Sequence, residues 1–148
     1  RKQAADYIEA YFKRYPSIHD FMHSMVEKAK ETGRAVTLFG RYRELPDINS
    51  KNFNRRSFAE RTAMNTPIQG TAADIMKMAM IEVYKKMKAG GYKSRVLLQV
   101  HDELVAEVVK EEKEEIAALL KETMESVVKL KVPLVADVNE GKNWAETK

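Results

Sequence analysis

The clearest pattern of apolar and polar positions in this chain predicts a β-hairpin. Val96, Leu98 and Val100 lie at every second position, and a period of two is typical of a strand with one face turned toward a core. Residues 104–109 are again rich in apolar and β-branched side chains, which predicts a returning strand. No Gly, Asn or Pro separates the two runs, although tight turns usually need one. The predicted tip is instead residues 101–103, His-Asp-Glu.

Most of the remaining chain has apolar residues at helical spacing. The predicted elements, in chain order, are a helix that ends before Pro16, a helix from Ser17 to Gly33, short strands over 35–39 and 42–45, a helix over 57–88, a helix opened by the acidic run 111–115, and a final strand over 134–138. Ser57 followed by Glu60 has the pattern of a capping box. Pro67 predicts that the 57–88 helix is either two segments or one kinked helix.

Composition narrows the class of protein. The chain has 148 residues, 44% of them hydrophobic, which is enough for one globular core. It has no Cys, which excludes disulfide scaffolds, Cys-ligated zinc and thiol catalysis, and fits a reducing compartment. We therefore expect a cytoplasmic protein. No apolar run approaches a membrane span, so no membrane partner is expected, and the absence of an initiator Met predicts a piece of a longer protein.

Positive charge is concentrated toward the beginning of the chain. The net charge is +4, and residues 1–56 carry a surplus of Lys and Arg, whereas the rest is close to balanced. Several of these cations alternate with the aromatic residues Tyr42, Phe53 and Phe58. Between residues 34 and 56 the basic residues are Arg34, Arg41, Arg43, Lys51, Arg55 and Arg56, and Arg61 lies just beyond. Such a cluster fits a nucleic-acid backbone, and a solvated loop surface explains it equally well.

The hairpin tip carries the strongest candidate chemistry. Asp102 and Glu103 are adjacent carboxylates, and carboxylates on a rigid turn suit a hard cation such as Mg²⁺ held against phosphate oxygens. Taken alone, acidic residues at a hairpin tip are more often simply solvated. Gln99 and His101 change this balance, because strict alternation puts both on one face of the strand leading to Asp102. The tip therefore predicts a surface that meets a phosphate-bearing partner.

A second polar set lies on the long helix. Arg61, Asn65 and Gln69 are spaced four residues apart, so on a continuous helix they lie along one face. A guanidinium and two amides there supply donors for phosphates and for the minor-groove acceptors that every base pair presents. Three exposed helix residues without a partner remain the simpler interpretation of this set.

Together these segments resemble the C-terminal end of the polymerase region of the family A DNA polymerases, the family of bacterial DNA polymerase I. Residues 56–75 resemble the palm helix that follows the fingers, and residues 97–104 resemble the third catalytic motif. Residues 40–48 resemble the fingers hairpin, and residues 137–144 resemble the usual ending of the family. Four motifs in the same order cover essentially the whole chain.

The resemblance implies an α+β fold, with helices packed on a small antiparallel palm sheet that carries a catalytic hairpin. It implies that 1–55 are part of the fingers and 56–148 the C-terminal part of the palm. Asp102 is then one of two metal-binding aspartates, with Glu103 as its acidic neighbour at the metal. The implied DNA contacts are His101 at the primer end, Gln99 beside it, Arg61, Asn65 and Gln69 along the nascent pair, and, less firmly, Arg43.

The resemblance also implies the partners and cofactor, which are primer-template DNA, a dNTP, and two Mg²⁺ ions. The second metal-binding aspartate and the fingers helix that holds the nucleotide lie outside this chain, in an upstream part of the polymerase. The parent enzyme would perform template-directed DNA synthesis in replication and repair, and the chain alone would be inactive. Two alternatives are a non-catalytic DNA-binding piece and, with less support, a metal-dependent nuclease.

Overall fold

The computed structural model describes residues 2–147 and confirms the α+β class. The part of the chain that it describes contains four α-helices and two two-stranded antiparallel sheets. The chain divides after residue 71 into two compact units, and each is described by itself below. No helix in this part of the chain is both long and apolar enough to cross a membrane.

The first unit begins with two helices that are separated by a single residue. Helix α1 spans Lys2–Arg14 and helix α2 spans Pro16–Thr32. Proline suits the first helical position because the N–H that it lacks would be unsatisfied there, so Pro16 both ends α1 and begins α2. Gly33 closes α2 with φ 71°, and its N–H donates to the carbonyl oxygen of Ala29 at 2.8 Å. The predicted end at Gly33 is therefore confirmed.

A short hairpin completes the core of the first unit. Strand β1 (Arg34–Val36) pairs antiparallel with β2 (Tyr42–Glu44), with Ala35 opposite Arg43. Apolar residues from α2, from this hairpin and its flanking loop, and from the next helix form one buried cluster. Its members are Val26, Ala29, Ala35, Leu45, Ile48, Ala59 and Ala63. Several members are alanines, which lets the backbones of neighbouring elements approach closely.

Helix α3 spans Phe53–Ala89 and is continuous, so the prediction of two separate segments is wrong. It begins four residues before the predicted cap at Ser57. Asn52 caps it instead, because its side-chain oxygen accepts from the N–H groups of Asn54 at 3.0 Å and Arg55 at 3.2 Å. Asn is as good an N-cap as Ser, and the earlier start adds a turn of helix. The hydroxyl of Thr71 donates to the Pro67 carbonyl, which supplies a local bond near the proline.

The second unit packs a hairpin and a helix against the end of α3. Strand β3 spans Arg95–Val100, β4 spans Glu103–Glu107, and helix α4 spans Lys113–Ser126 after a short 3₁₀ turn. Val83 and Met87 of α3 form a buried core with Ile116 of α4, and Val96 and Leu104 of the hairpin pack against them.

A β-bulge interrupts the hairpin. Val96 pairs with Ala106, yet Leu98 pairs with Val105, so Leu97 is an extra residue in β3. A bulge locally shifts the alternation of side chains between the two faces. Leu97 and Leu98 are consequently both about half exposed. The strict alternation predicted from the sequence holds only on either side of this point.

The segment after α4 is irregular, and the predicted strand over 134–138 is wrong. The side chain of Glu125 takes the place of a strand partner, because its Oε1 accepts from the N–H of Ala136 at 3.0 Å. Farther along, Lys113 and Glu140 form an ion pair at 2.5 Å. Alternating apolar residues favour an extended backbone, but a strand also needs a neighbour for its ladder of hydrogen bonds. Side chains of α4 bind this segment instead.

Candidate functional site

The hairpin tip is a two-residue turn. Val100 pairs directly with Glu103, which leaves His101 and Asp102 as the central residues. His101 has φ 52° and is the one non-glycine residue between 2 and 147 with a positive φ. A positive φ at the first central position only is the pattern of a type II′ turn, where glycine is usual. Non-glycine residues in this region store about 1–3 kcal/mol and cluster at functional sites.

The side chain of Gln99 stabilises the turn. Its Nε2 donates to the carbonyl oxygen of His101 at 2.6 Å. His101 itself lies beyond the end of β3, so it does not continue the face of Gln99 as alternation predicted. The turn nevertheless brings Gln99, His101, Asp102 and Glu103 together, all of them exposed to solvent.

The two carboxylates at the tip differ in their surroundings. Oε2 of Glu103 accepts a hydrogen bond from the indole Nε1–H of Trp144 at 3.3 Å, whereas Asp102 occupies the second turn position. Both side chains expose carboxylate oxygen atoms to solvent. Among the described residues, no group of three or more His, Asp or Glu side chains converges on one point where it could hold a metal ion. The tip therefore presents two adjacent carboxylates, whose oxygen atoms are hard ligands.

A carboxylate network fixes the base of the hairpin. Glu112, just before α4, accepts from the N–H groups of Lys93 and Ser94, both at 2.9 Å, and from the Ser94 hydroxyl at 2.6 Å. The same hydroxyl accepts from the N–H of Val109 at 2.9 Å. The N–H of Lys93 and the Ser94 hydroxyl lower the pKa of Glu112 below its ordinary value of 4.5. The network joins the start of β3 to the chain after β4 and so sets the position of the turn.

A second contact holds α4 close to the same region. The hydroxyl of Tyr92 donates to Oε2 of Glu115 at 3.0 Å, and this bond to a carboxylate raises the pKa of Tyr92 above 10.0. Tyr92 also packs against the core formed by Val83, Met87 and Ile116. The segment that leads into β3 is thereby connected to α4 in two ways, through the hydrogen bond of Tyr92 to Glu115 and through the packing of the Tyr92 ring on this core.

In the first unit, α3 carries the predicted polar face. Arg61, Asn65 and Gln69 are all exposed and lie on a continuous stretch of helix, as their spacing requires. Arg61 donates to the hydroxyl of Ser57 at 2.9 Å, one turn earlier. This bond directs the guanidinium of Arg61 back along the helix. The side-chain amides of Asn65 and Gln69 are exposed on the same face.

The β1–β2 hairpin docks on α3 through its loop. Arg41 donates to the carbonyl oxygen of Gly70 and the Leu38 N–H donates to the hydroxyl of Thr71, both at 2.9 Å. Gly70 permits this approach, because a Cβ there would lie 2.6 Å from Cγ2 of Thr37. Arg43 lies at the centre of β2 and is exposed. Arg43 is therefore carried by a hairpin fixed to the helix that bears the polar face.

The aromatic residues among the cations are also exposed. Tyr42 and Phe53 each lie beneath a guanidinium, with Arg34 at 4.4 Å from the ring centre of Tyr42 and Arg56 at 5.8 Å from that of Phe53. Arg34 also pairs with Glu44 across the hairpin at 3.6 Å. Exposed rings beside cations are the combination with which proteins bind single-stranded bases and phosphates.

Sequence reasoning missed two residues that shape these sites. Trp144 contacts the turn from 41 positions away, and no local pattern predicts so distant a pair. Gly70 lies inside a helical pattern, and an isolated glycine at such a position indicates a packing reason. That signal was present in the sequence.

The sequence profile of DNA polymerase family A matches residues 1–146. The chain belongs to DNA polymerase family A. The implied membership of this family is thus confirmed over almost the whole chain.

Relatives within family A extend the match. The chain is 57% identical to DNA polymerase I of Streptococcus pneumoniae, 53% to that of Caldicellulosiruptor bescii and 48% to that of Bacillus subtilis. Each alignment covers all of this chain and 17% of the relative. The chain therefore spans about one sixth of the length of these polymerases.

A solved structure has the same fold. The POL domain of Pol1 from M. smegmatis, in complex with DNA primer-template and dNTP, superimposes with a TM-score of 0.95 at 42% identity. The similarity covers 99% of this chain and 26% of that chain. Both units of the present chain thus correspond to part of a family A polymerase domain.

Proposed function

We propose that this chain forms part of a DNA-directed DNA polymerase and supplies one catalytic carboxylate turn and part of the DNA-binding surface. The activity is nucleotidyl transfer from a dNTP to a primer 3′-hydroxyl, directed by a template. This proposal rests mainly on one observation, the strained two-residue turn that presents Asp102 and Glu103 in a chain of family A. A turn with glycine in the place of His101 would be less strained, so the residues present favour function over stability.

The donor set of this turn fits Mg²⁺. This ion is usually held by one or two carboxylates together with substrate phosphates and water, and the turn offers two exposed carboxylates in sequence. We assign Asp102 as a ligand and Glu103 as a ligand or its close support. When bound, the ions would stabilise charge on the attacking and leaving oxygens of the transferred phosphate. The remaining carboxylate ligand would come from another part of the polymerase.

Other residues of the chain would position the DNA. His101 would contact the primer end, with Gln99 holding the turn through the His101 carbonyl. Arg61, Asn65 and Gln69 would donate to phosphates and to minor-groove acceptors, which are present at every base pair and therefore report pairing geometry without reading sequence. Arg43, on its docked hairpin, would contact the backbone.

The same proposal assigns the two parts of the chain to subdomains of the polymerase and names its partners. Residues 1–55 would belong to the fingers and residues 56–148 to the palm. The partners would be primer-template DNA, a dNTP, and the upstream parts of the polymerase that carry the first catalytic motif, the nucleotide-binding helix and the thumb. Alone, the chain would bind DNA weakly and would not extend a primer.

A chimera tests this function, because a relative then supplies the rest of the polymerase. In it, the 148 residues replace the aligned stretch of the Streptococcus pneumoniae DNA polymerase I, to which they are 57% identical. We expect the chimera to extend a primer on a template, and Asp102→Asn to reduce turnover at least about 100-fold, corresponding to about 2.7 kcal/mol, with DNA affinity unchanged. Glu103→Gln should have a smaller effect.

The matched control is Glu107→Gln, which removes a carboxylate from the same strand and should leave extension unchanged. Glu107 faces Arg95 at 3.7 Å, away from the turn. A folded chimera that extends primers equally well with Asp102→Asn would refute the assignment of the turn. A chimera that binds primer-template but never extends it, beside an active parent, would favour the non-catalytic DNA-binding alternative.

A further inference from the structure

Helix α2 carries a histidine pair to which the proposed polymerase function assigns no role. His19 and His23 are four residues apart, so they lie one turn apart on the same face of the helix. The centres of their rings are 4.7 Å apart, at an interplanar angle of 55°. Two imidazoles at this spacing on a helix are a recurrent arrangement for binding one metal ion.

The ring separation agrees with shared coordination. Nitrogen–metal bonds of about 2.0–2.1 Å put each ring centre about 3.2 Å from the ion, so the two centres are about 4.5–5.2 Å apart for bond angles of about 90–109°. The observed 4.7 Å lies within this range. The spacing of the two rings therefore matches that of two imidazoles bound to one ion.

The surroundings favour a cation. A carboxylate oxygen of Asp20 lies 3.8 Å from Nδ1 of His19, which adds negative potential beside the pair. The ring of Phe12 on α1 contacts the His19 ring edge-on, with centres 5.0 Å apart, and limits the orientations of that imidazole. His19 is still 48% exposed, and His23 is exposed, so the pair is open to ions from solvent.

We propose that His19 and His23 bind one first-row transition-metal ion of the Zn²⁺, Ni²⁺ or Cu²⁺ class, with water completing its coordination. Imidazole nitrogen suits these ions, whereas Mg²⁺ prefers oxygen ligands. The site is therefore chemically distinct from the Asp102-Glu103 turn. Binding would link consecutive turns at the start of α2 and stabilise the folded first unit.

The chain makes the site easy to assign experimentally. It contains three histidines and no cysteine, so His101 is the one competing imidazole. The protein used is the 148-residue chain without a histidine tag, titrated calorimetrically with ZnCl₂ at about pH 7.5, where imidazoles are available as ligands. We expect one ion per chain, unaffected by an excess of MgCl₂ and unchanged in His101→Ala.

His19→Gln and His23→Gln should each weaken Zn²⁺ binding about 100-fold, because a second ligand on the same helix makes its contribution intramolecular. Circular dichroism of both variants should match the wild type, since neither side chain is buried. Substoichiometric Cu²⁺ should broaden the imidazole proton resonances of His19 and His23 and leave those of His101 sharp. Binding that survives both substitutions, is lost with His101→Ala, or is absent from the wild type would overturn the proposal.

Discussion

The indole Nε1–H of Trp144 donates to Oε2 of Glu103 at 3.3 Å, which connects the end of the described chain to the turn that carries Asp102. The 3₁₀ turn that contains Trp144 is capped by Asn143, whose side-chain oxygen accepts from the N–H of Ala145 at 3.1 Å. The same segment is fixed farther back by the ion pair of Lys113 with Glu140. Trp144 therefore lies in a segment that is held by its own hydrogen bonds and by an ion pair to α4.

Trp144→Phe should reduce turnover of the chimeric polymerase by roughly 3- to 10-fold. Phenylalanine keeps an aromatic ring but removes the N–H, and a partly exposed hydrogen bond to a charged group contributes about 1 kcal/mol. The loss should appear in kcat and leave the KM for dNTP nearly unchanged, because the substitution affects the orientation of a carboxylate and not a nucleotide contact. Steady-state primer extension measures both constants.

The same contact should be visible in the isolated chain, which has a single Trp. Glu103→Gln removes the charge next to the indole and should shift the emission maximum of Trp144. Glu107→Gln, on the same strand and paired with Arg95, is the matched control and should leave the spectrum unchanged. Identical spectra for wild type and Glu103→Gln would show that the indole does not contact this carboxylate in solution.

Acid should destabilise the chain partly through Glu112. The lowered pKa of Glu112 means that the folded state binds its proton less readily than the unfolded state does. The stabilisation is therefore complete above the ordinary value of about 4.5 and is lost as the pH falls through the lower folded value. We expect the free energy of unfolding of the wild type to decline more steeply between about pH 5 and pH 3 than that of Glu112→Gln.

Urea denaturation at a series of pH values measures this difference. Glu111→Gln is the matched control, because Glu111 is exposed in the same 3₁₀ turn, and its pH profile should follow that of the wild type. Parallel profiles for wild type and Glu112→Gln would exclude the Lys93-Ser94-Glu112 network as a source of acid sensitivity.

Sequence reasoning predicted most elements where local chemistry determines them. Pro16 and Gly33 set the boundaries of α2, and the alternation around Val96 and Val100 predicted the hairpin. The errors arose where a distant contact, or a competing local contact, determines whether an element forms or where it begins. Asn52 outcompetes Ser57 as the cap, and the Glu125 side chain bonds the segment that was predicted as a strand.

Helix α2 is buried along only part of its apolar face. Val26 and Ala29 are buried, yet Ile18 and Phe21, at helical spacing on the same face, are exposed. Periodicity identifies the apolar face of a helix and not what covers it. For the site, the residue types at the turn were predictable, whereas the strain at His101 and the Trp144 contact depend on backbone geometry and tertiary packing.

Gly70→Ala should destabilise the first unit. Its Cβ would lie 2.6 Å from Cγ2 of Thr37, which is buried and held by the Arg41 N–H, a donor to its hydroxyl at 3.2 Å. Overpacking of this kind costs about 1–3 kcal/mol, partly offset by about 1 kcal/mol of helix propensity. Thermal denaturation should give a lower Tm than the wild type.

Thr37→Ser should rescue that variant. Serine keeps the hydroxyl that accepts from Arg41 but removes the methyl group that clashes. In the double variant the helix propensity of alanine is no longer opposed, so its Tm should return to or exceed that of Thr37→Ser alone. A double variant as unstable as the sum of the two single changes would show that the methyl group is not the cause.

His101→Gly should stabilise the chain and impair the polymerase. Glycine adopts the φ of 52° observed at this position without strain, and the relief, less the greater unfolded-state entropy of glycine, should raise the free energy of unfolding by about 0.5–1 kcal/mol. His101→Ala separates the two effects, because alanine also removes the imidazole but retains the strain. In the chimera both variants should change the ratio of mismatched to matched primer extension, since both lack the imidazole that we propose as the contact to the primer end. Equal unfolding free energies for the glycine and alanine variants would show that the turn is unstrained, and unchanged extension ratios in both would remove His101 from the DNA contacts.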